Sequence, residues 1–122
     1  MDSNKQKAQE GETLACESIQ KQGYTILKRN YHFGHGEIDI IADDHGTTVF
    51  IEVKTRSSQW YGAPEYSITF SKQKQLRHIA QGYFFEKQIS DMPCRFDVIT
   101  IEYQNNLPVI NHIQNAFTFY DR

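Results

Sequence analysis

The first segment of the chain, residues 3–22, has the periodicity of an amphipathic helix. Ser3 and Gln6 have the spacing of a capping box, and Gly23 follows where helices commonly end. Glu12 lies in the middle of the otherwise apolar side of this predicted helix. The residues of that side recur at intervals of three, four and seven: Ala8, Glu12, Ala15, Cys16 and Ile19.

Alternation of apolar and polar residues, the period of a strand, dominates the next part of the chain. Residues 24–31 form the first predicted strand. Residues 36–56 form a predicted hairpin whose arms are rich in β-branched and aromatic side chains, with a tight turn at 43–46. We expect Asp44 and His45 to be the two residues of its loop.

The second half of the chain predicts one more helix and two more strands. Ser71 has the position of an N-cap, and the apolar side of the following helix comprises Leu76, Ile79, Ala80, Tyr83 and Phe84. Strands are predicted at 95–103 and 109–113, and residues 116–119 are expected to close over the core. The order αβββαββ predicts an α/β (mixed α+β) fold with a central mixed β-sheet flanked by helices.

Length and composition fit one globular domain, which we place over residues 1–122. No apolar run has the length of a membrane span, and the N-terminal residues lack the apolar core of a secretory signal. Cys16 and Cys94 are too few for a disulfide framework, so we expect a reducing, cytoplasmic setting. The net charge of −2 rules out a generic polybasic binder, but it leaves room for a local nucleic-acid contact.

The predicted hairpin carries acids where paired strands normally have apolar or neutral residues. The expected turn would place Glu37 opposite Glu52 and make Asp39 a diagonal neighbour of Glu52. A register shift of two residues would keep these acids on one face, and a shift of one would separate them. Because crowded carboxylates repel each other, we expect a cation between them.

Mg²⁺ or Mn²⁺ suits this set of residues, since both ions prefer carboxylate, carbonyl and water oxygens. Asp39 and Glu52 would hold the ion, and the backbone carbonyl of Val53 would supply another oxygen. Glu12 would approach from the first helix, directly or through water. Lys54 shares a face with Glu52, where it would orient or deprotonate a water and neutralise charge near a phosphate. Together these residues suit in-line hydrolysis of a phosphodiester.

The same residues resemble the core of the PD-(D/E)XK nuclease superfamily. Two stretches carry the resemblance: Gly36-Glu37-Ile38-Asp39-Ile40-Ile41 and Val49-Phe50-Ile51-Glu52-Val53-Lys54-Thr55-Arg56. More narrowly, the chain resembles the bacterial YraN family of predicted endonuclease-like proteins over nearly its whole length. The proline that names the superfamily motif is replaced by Ile38, which leaves the following carboxylate in place.

This resemblance implies a restriction endonuclease-like fold and a metal-dependent endonuclease acting on DNA, including structured or branched DNA. Asp39, Glu52 and Lys54 match the superfamily's acid, acid and lysine. Glu12 matches the helix-borne acid of its archaeal Holliday junction resolvases. A homodimer would provide two sites for two strands, although no residue of the chain indicates one directly.

Other interpretations of the acidic residues stay open. Glu37 is a partner of the metal ligands, a charge facing DNA or an ordinary hairpin residue. His32 and His35, with Glu37 and Asp39, imitate a zinc cluster, but they lack the closed ligand set that zinc requires. Acids and lysines that alternate on a strand also occur as a solvated face.

Basic and aromatic residues outside the hairpin core are candidates for contacts with nucleic acid. The predicted phosphate contacts are Arg56, Lys72, Lys74 and Arg77, for which a solvated face is the alternative. Trp60, Tyr61 and Tyr66 would stack on bases, plug a core edge or form a dimer contact. Asp97 is expected to be a structural partner for Arg95 or a lysine.

Three functions are therefore weighed from the sequence. The preferred one is a Mg²⁺- or Mn²⁺-dependent deoxyribonuclease. The second is a nucleic-acid-binding module of the same fold, with little or no hydrolysis, that serves a DNA-processing assembly. The third is an interaction protein without a nucleic-acid role, which rests on the aromatic loop alone.

Overall fold

The structure, a computed structural model, describes residues 3–56, 68–90 and 92–118. Its elements, in chain order, are α1 (Ser3–Lys21), β1 (Thr25–Phe33), β2 (Gly36–Asp44), β3 (Thr47–Arg56), α2 (Phe70–Lys87), β4 (Cys94–Gln104) and β5 (Leu107–Phe117). The predicted capping side chain of Ser3 and the aromatic residues Trp60, Tyr61, Tyr66 and Phe119 lie outside the described part. Neither described helix is long and apolar enough to cross a membrane.

The five strands form one sheet in the order β1-β2-β3-β4-β5. The β3–β4 pair is parallel and the other three pairs are antiparallel. A parallel pair needs a connection that crosses a face of the sheet, and α2 lies within that connection. The predicted mixed α/β architecture is therefore confirmed.

Two apolar cores lie on opposite faces of the sheet, each under one helix. Ala15, Cys16 and Ile19 of α1 pack on the strand residues of one core. Four residues of α2 pack on the other: Leu76, Ile79, Ala80 and Tyr83. The central strand β3 is buried on both faces, because its alternate residues enter different cores. The helical stripe predicted for residues 8–19 thus faces the sheet and brings Glu12 with it.

The predicted register of the β2–β3 hairpin was wrong by two residues. Its loop consists of His45 and Gly46, and Asp44 pairs with Thr47. Both loop residues have positive φ, 52° and 98°, as the favoured two-residue hairpin turn requires, and glycine takes that conformation without strain. The shift is an even number of residues, so by itself it does not move either arm's side chains to the other face of the sheet.

Two other predicted boundaries were also wrong. The N-cap of α2 is Thr69 rather than Ser71, and its side-chain oxygen accepts a hydrogen bond from the Lys72 amide at 3.2 Å. The last strand is longer than 109–113, since β5 extends through Phe117. Phe117 itself is buried and stacks on Phe96, as expected for a residue that closes over the core.

Candidate metal and phosphate site

The predicted catalytic residues line one cavity of about 480 Å³ between α1, β2, β3 and α2. Four carboxylates open into it: Glu12, Glu37, Asp39 and Glu52. Three lysines line it as well: Lys7, Lys54 and Lys72. Val53 also contributes to the wall. The fold therefore brings together residues that the sequence separates by up to 65 positions.

Asp39 lies where β2 separates from β3. The β2–β3 ladder ends at the pair Ile40–Ile51, and beyond it the Val53 amide donates to Asp39 Oδ2 at 2.8 Å. Ile38 and Ile41 belong to the same core although they are three residues apart, so the predicted strict alternation of β2 is interrupted between them. The Val53 amide thus bonds to the side chain of Asp39, which lines the cavity, at a position beyond the end of the β2–β3 ladder.

The environment of Asp39 disfavours its negative charge. Burial is the largest cause, and repulsion from Glu52, Glu12 and Glu37 adds to it, which together raise the pKa of Asp39 to about 7. The hydrogen bond from Val53 opposes this rise. Near neutral pH, a cation in the cavity would therefore lower the free energy of the ionised carboxylate.

Glu52 is the most buried carboxylate of the cavity, with 7% of its side chain exposed. Lys54 Nζ lies 3.9 Å and Lys72 Nζ 3.7 Å from Glu52 Oε2. Lys72 belongs to the first turn of α2, so two elements place ammonium groups on one carboxylate oxygen. The charge of Glu52 is thus compensated by lysines that are themselves partly exposed.

Glu12 reaches the cavity because α1 approaches β3 very closely at the preceding residue. A β-carbon placed on Gly11 would lie 2.1 Å from Thr55 Oγ1, which only glycine avoids. The Glu12 side chain is 14% exposed, and Oε1 accepts a hydrogen bond from Asn30 Nδ2 at 2.9 Å. Arg29 is a more distant partner, with its guanidinium 3.8 Å from the same oxygen.

Replacing Gly11 with alanine should test this close approach. In the wild-type background we expect a loss of about 1–3 kcal/mol in the free energy of unfolding, because the new methyl group overlaps Thr55. In a Thr55→Ala background the overlap is relieved, and alanine should be neutral or stabilising by up to about 1 kcal/mol through its helix propensity. Urea denaturation of all four proteins measures the coupling. Equal losses in both backgrounds would contradict the proposed contact.

The donor atoms of the cavity suit a hard divalent cation, but they are not preassembled around one. Among residues 3–56, 68–90 and 92–118, no three His, Cys, Asp or Glu side chains form a ready metal cluster. Glu52 Oε2 faces two lysines, and Asp39 Oδ2 accepts from Val53. Carboxylate and carbonyl oxygens are the ligands that Mg²⁺ and Mn²⁺ prefer, so the residues fit such an ion once their side chains converge.

The zinc alternative receives no support from the described residues. His32 is part of β1, where it pairs with Glu37 in the ladder and lies 3.2 Å from its carboxylate. His35 is exposed in the turn that follows. A cross-strand pair of this kind is an ordinary surface contact. Glu37 itself is 40% exposed at the rim of the cavity.

The four predicted phosphate contacts occupy different places. Lys72 lines the cavity, whereas Lys74 is exposed further along α2. Arg56 ends β3, where it pairs with Glu102 of β4. Arg77 donates to the backbone carbonyl of Thr118 at 3.0 Å and lies over the Phe117 ring. Lys72 is therefore the member of this set that lines the cavity, and the prediction of phosphate contacts for the other three stays a prediction.

Asp97 is confirmed as a structural partner of Arg95. Arg95 Nε lies 3.0 Å from its carboxylate, and the His112 ring nitrogen lies 2.7 Å away. The Asn115 amide also donates to it, where β4 and β5 fall out of register. This network lies on the face of the sheet covered by α1, since Asp97 alternates with Ile99.

Two residues of the site were not predicted from the sequence. Lys7 lines the cavity five residues before Glu12, on a stretch of α1 whose charges are typical of a solvated face. Asn30 binds Glu12 from the middle of β1. Asn30 belongs to the residues that carry the resemblance to the YraN family, and asparagine within a strand pattern tolerates a backbone that other residues avoid, but neither signal indicated its contact with Glu12.

The protein is an α/β protein with one mixed sheet. Four carboxylates and three lysines line a cavity at the point where β2 separates from β3. A family model described as "Uncharacterised protein family UPF0102" matches residues 11–101, a range that includes Glu12, Asp39, Glu52 and Lys54. The chain belongs to this family, UPF0102 (YraN).

Its relatives match it over almost their whole length. The chain is 43% identical over 114 residues to the UPF0102 protein of Geobacter metallireducens, with 93% of each chain covered. It is 44% identical over 111 residues to that of Persephonella marina, covering 91% and 92%. Against the relative from Alkaliphilus oremlandii the identity is 42%, covering 93% and 99%.

Proposed function

We propose that the protein is a metal-dependent endonuclease that hydrolyses DNA phosphodiesters, with structured or branched DNA as the substrate. The observation that carries the proposal is the single cavity shared by Asp39, Glu52, Lys54 and Glu12. A mixed sheet with α1 on one face and α2 on the other also fits a restriction endonuclease-like fold. A homodimer would offer one such cavity to each of two strands.

The carboxylates would hold Mg²⁺ or Mn²⁺ through Asp39, Glu52 and the Val53 carbonyl, with Glu12 as a further ligand. When bound, the ion would polarise a phosphate oxygen and lower the pKa of a water molecule. Its charge would also offset the burial and repulsion that disfavour the ionised form of Asp39.

The lysines would act on the nucleophile and the phosphate. Lys54 lines the cavity beside Glu52, and its amine would orient the attacking water or accept a proton from it. Lys72 and Lys7 approach from two different helices and would neutralise charge that develops on the phosphoryl oxygens. Glu37 stands at the rim, where its charge would orient the groups further in.

A cleavage assay with duplex, single-stranded and four-way DNA tests this function. With Mg²⁺ or Mn²⁺ we expect cleavage that EDTA abolishes, and Lys54→Ala should lower its rate about 100-fold, the usual loss on removing a proton-transfer group. Lys21→Ala is the matched control, because Lys21 is exposed at the end of α1 and does not line the cavity. Equal activity of the wild type and Lys54→Ala would contradict the assignment.

The same assay distinguishes the other two functions. Binding to DNA that persists in EDTA, without cleavage of any substrate, would replace the enzyme with a nucleic-acid-binding module of the same family. A salt-independent interaction with protein partners, and none with DNA, would favour an interaction protein, because phosphate contacts weaken as salt rises.

A further inference from the structure

Asn30 combines an unusual backbone conformation with a hydrogen bond to Glu12, a residue that lines the cavity. Its φ is 53°, in the left-handed region, although it lies in the interior of β1. Its side-chain amide donates to Glu12 Oε1 at 2.9 Å. Left-handed residues inside a strand are costly for most side chains, and asparagine is among the few that tolerate them.

The position of Asn30 in the sheet links it to Asp39. The β1–β2 ladder pairs Arg29 with Ile40 and Tyr31 with Ile38, which leaves Asn30 across from Asp39. Asp39 is the residue at which β2 leaves β3. The left-handed residue of β1 therefore lies beside the point at which β2 separates from β3. Its side chain reaches Glu12 of α1 from there.

The hydrogen bond and the ion pair that Glu12 makes with described residues involve the same carboxylate oxygen. Oε1 accepts from Asn30 and is 3.8 Å from the Arg29 guanidinium. The Arg29 guanidinium also donates to Thr13 Oγ1 at 3.3 Å, which divides its interaction between two residues. An uncharged amide fixes the carboxylate without supplying a positive charge that would compete with a cation.

We propose that Asn30 is a positioning residue for Glu12: its amide holds Oε1 and directs Oε2 towards a divalent cation in the cavity. The left-handed backbone is what brings a short side chain from an edge strand onto α1. This inference rests on the proposed function, since it assumes that Glu12 is a metal ligand. Mutation of a residue that hydrogen-bonds to a metal ligand typically lowers metal affinity by about 10- to 100-fold.

The test measures Mn²⁺ affinity of the full chain by titration calorimetry, without any cleavage assay. Asn30→Gly keeps the left-handed conformation accessible and removes the amide. We expect it to weaken Mn²⁺ binding about 10-fold. Asn30→Ala, a second variant that removes the amide, should weaken Mn²⁺ binding to a similar degree, and its β-carbon should also lower stability because alanine rarely takes a left-handed backbone. Circular dichroism and urea denaturation check that both variants fold.

A double-mutant cycle separates positioning from a general effect on the strand. In a Glu12→Ala background, Asn30→Gly should change Mn²⁺ affinity by less than about twofold, since its partner is gone. An equal loss in both backgrounds, or an unchanged affinity in the single variant, would overturn the assignment of Asn30 alone. Failure of the wild type to bind Mn²⁺ would overturn the proposed function together with this inference.

Discussion

Replacing Asp39 with asparagine is expected to stabilise the metal-free protein at pH 8, by about 2 kcal/mol in the free energy of unfolding. Burial and three neighbouring carboxylates raise the pKa of Asp39 to about 7, so its ionised form destabilises the folded state. The asparagine amide removes that charge and keeps an oxygen that accepts from Val53. The value is roughly half of the free energy that corresponds to the full rise in the pKa of Asp39, because repelling carboxylates can move apart and so reduce their repulsion.

The pH dependence of stability should change with this substitution. Between the ordinary carboxyl pKa of 3.8 and the raised value of about 7, folded wild-type Asp39 binds more protons than the unfolded chain. The stabilising contribution is therefore present at low pH and is lost as pH rises through this range. Asp39→Asn should lack that decline, and below pH 4 the two proteins should differ little.

Metal should stabilise the wild type and should have no such effect on Asp39→Asn. Millimolar Mg²⁺ or Mn²⁺ should raise the melting temperature of the wild type, because the ion binds the folded state and relieves repulsion. Asp39→Asn should lose this response and its cleavage activity together. Glu10→Gln removes an exposed acid of α1 outside the cavity and should behave as wild type. A destabilised Asp39→Asn protein in EDTA would contradict the electrostatic account of the site.

Replacing Asp97 with alanine is expected to have the reverse effect, a loss of about 3 kcal/mol. Its side chain is fully buried, and the substitution would leave the largely buried Arg95 and His112 without their shared carboxylate. Arg95 would retain its contacts with Asp44 and Tyr24, which limits the loss. Removing one partner of a buried ion pair is costly because the remaining charge stays desolvated.

Urea denaturation of Asp97→Ala and Asp43→Ala measures this difference. Asp43 is a half-buried acid of the hairpin whose carboxylate accepts a hydrogen bond from the Gly46 amide at 3.4 Å, so its removal should cost less than about 1 kcal/mol. The melting-temperature response of Asp97→Ala to Mg²⁺ should persist, since Asp97 lies outside the cavity. Loss of that response, with the protein still folded, would show that the two polar clusters are coupled.

The hairpin shows what alternation specifies and what it leaves undetermined. Alternation identified both arms and grouped their acids, and the even error in register did not separate acids that line one cavity. The turn was misplaced because Asp44-His45 and His45-Gly46 both carry turn residues. The second pair contains the glycine that takes a φ of 98°, which is the stronger physical requirement.

The separation of β2 from β3 at Asp39 was not predictable from the two-residue alternation of strand side chains. A strict alternation places Ile38 and Ile41 on opposite faces, yet both enter the same core. The interruption coincides with the end of the β2–β3 ladder at Ile40–Ile51, beyond which the Val53 amide donates to the Asp39 side chain. Likewise, the lysine from α2 that approaches Glu52 lies 20 residues away in sequence, beyond the reach of a local pattern.

By itself, the sequence determined the helices and strands, the apolar side of α1 with Glu12 in its middle, and the acids and lysine of the hairpin. Local periodicity sets these features, because a side chain's face follows from its spacing along one element. Only the tertiary structure decided that Asn30 binds Glu12 and that Lys72 approaches Glu52. It also decided that Asp39 is surrounded by other carboxylates, whereas Asp97 is paired with Arg95. Those outcomes depend on distances between separate elements, which packing fixes and spacing along the chain does not.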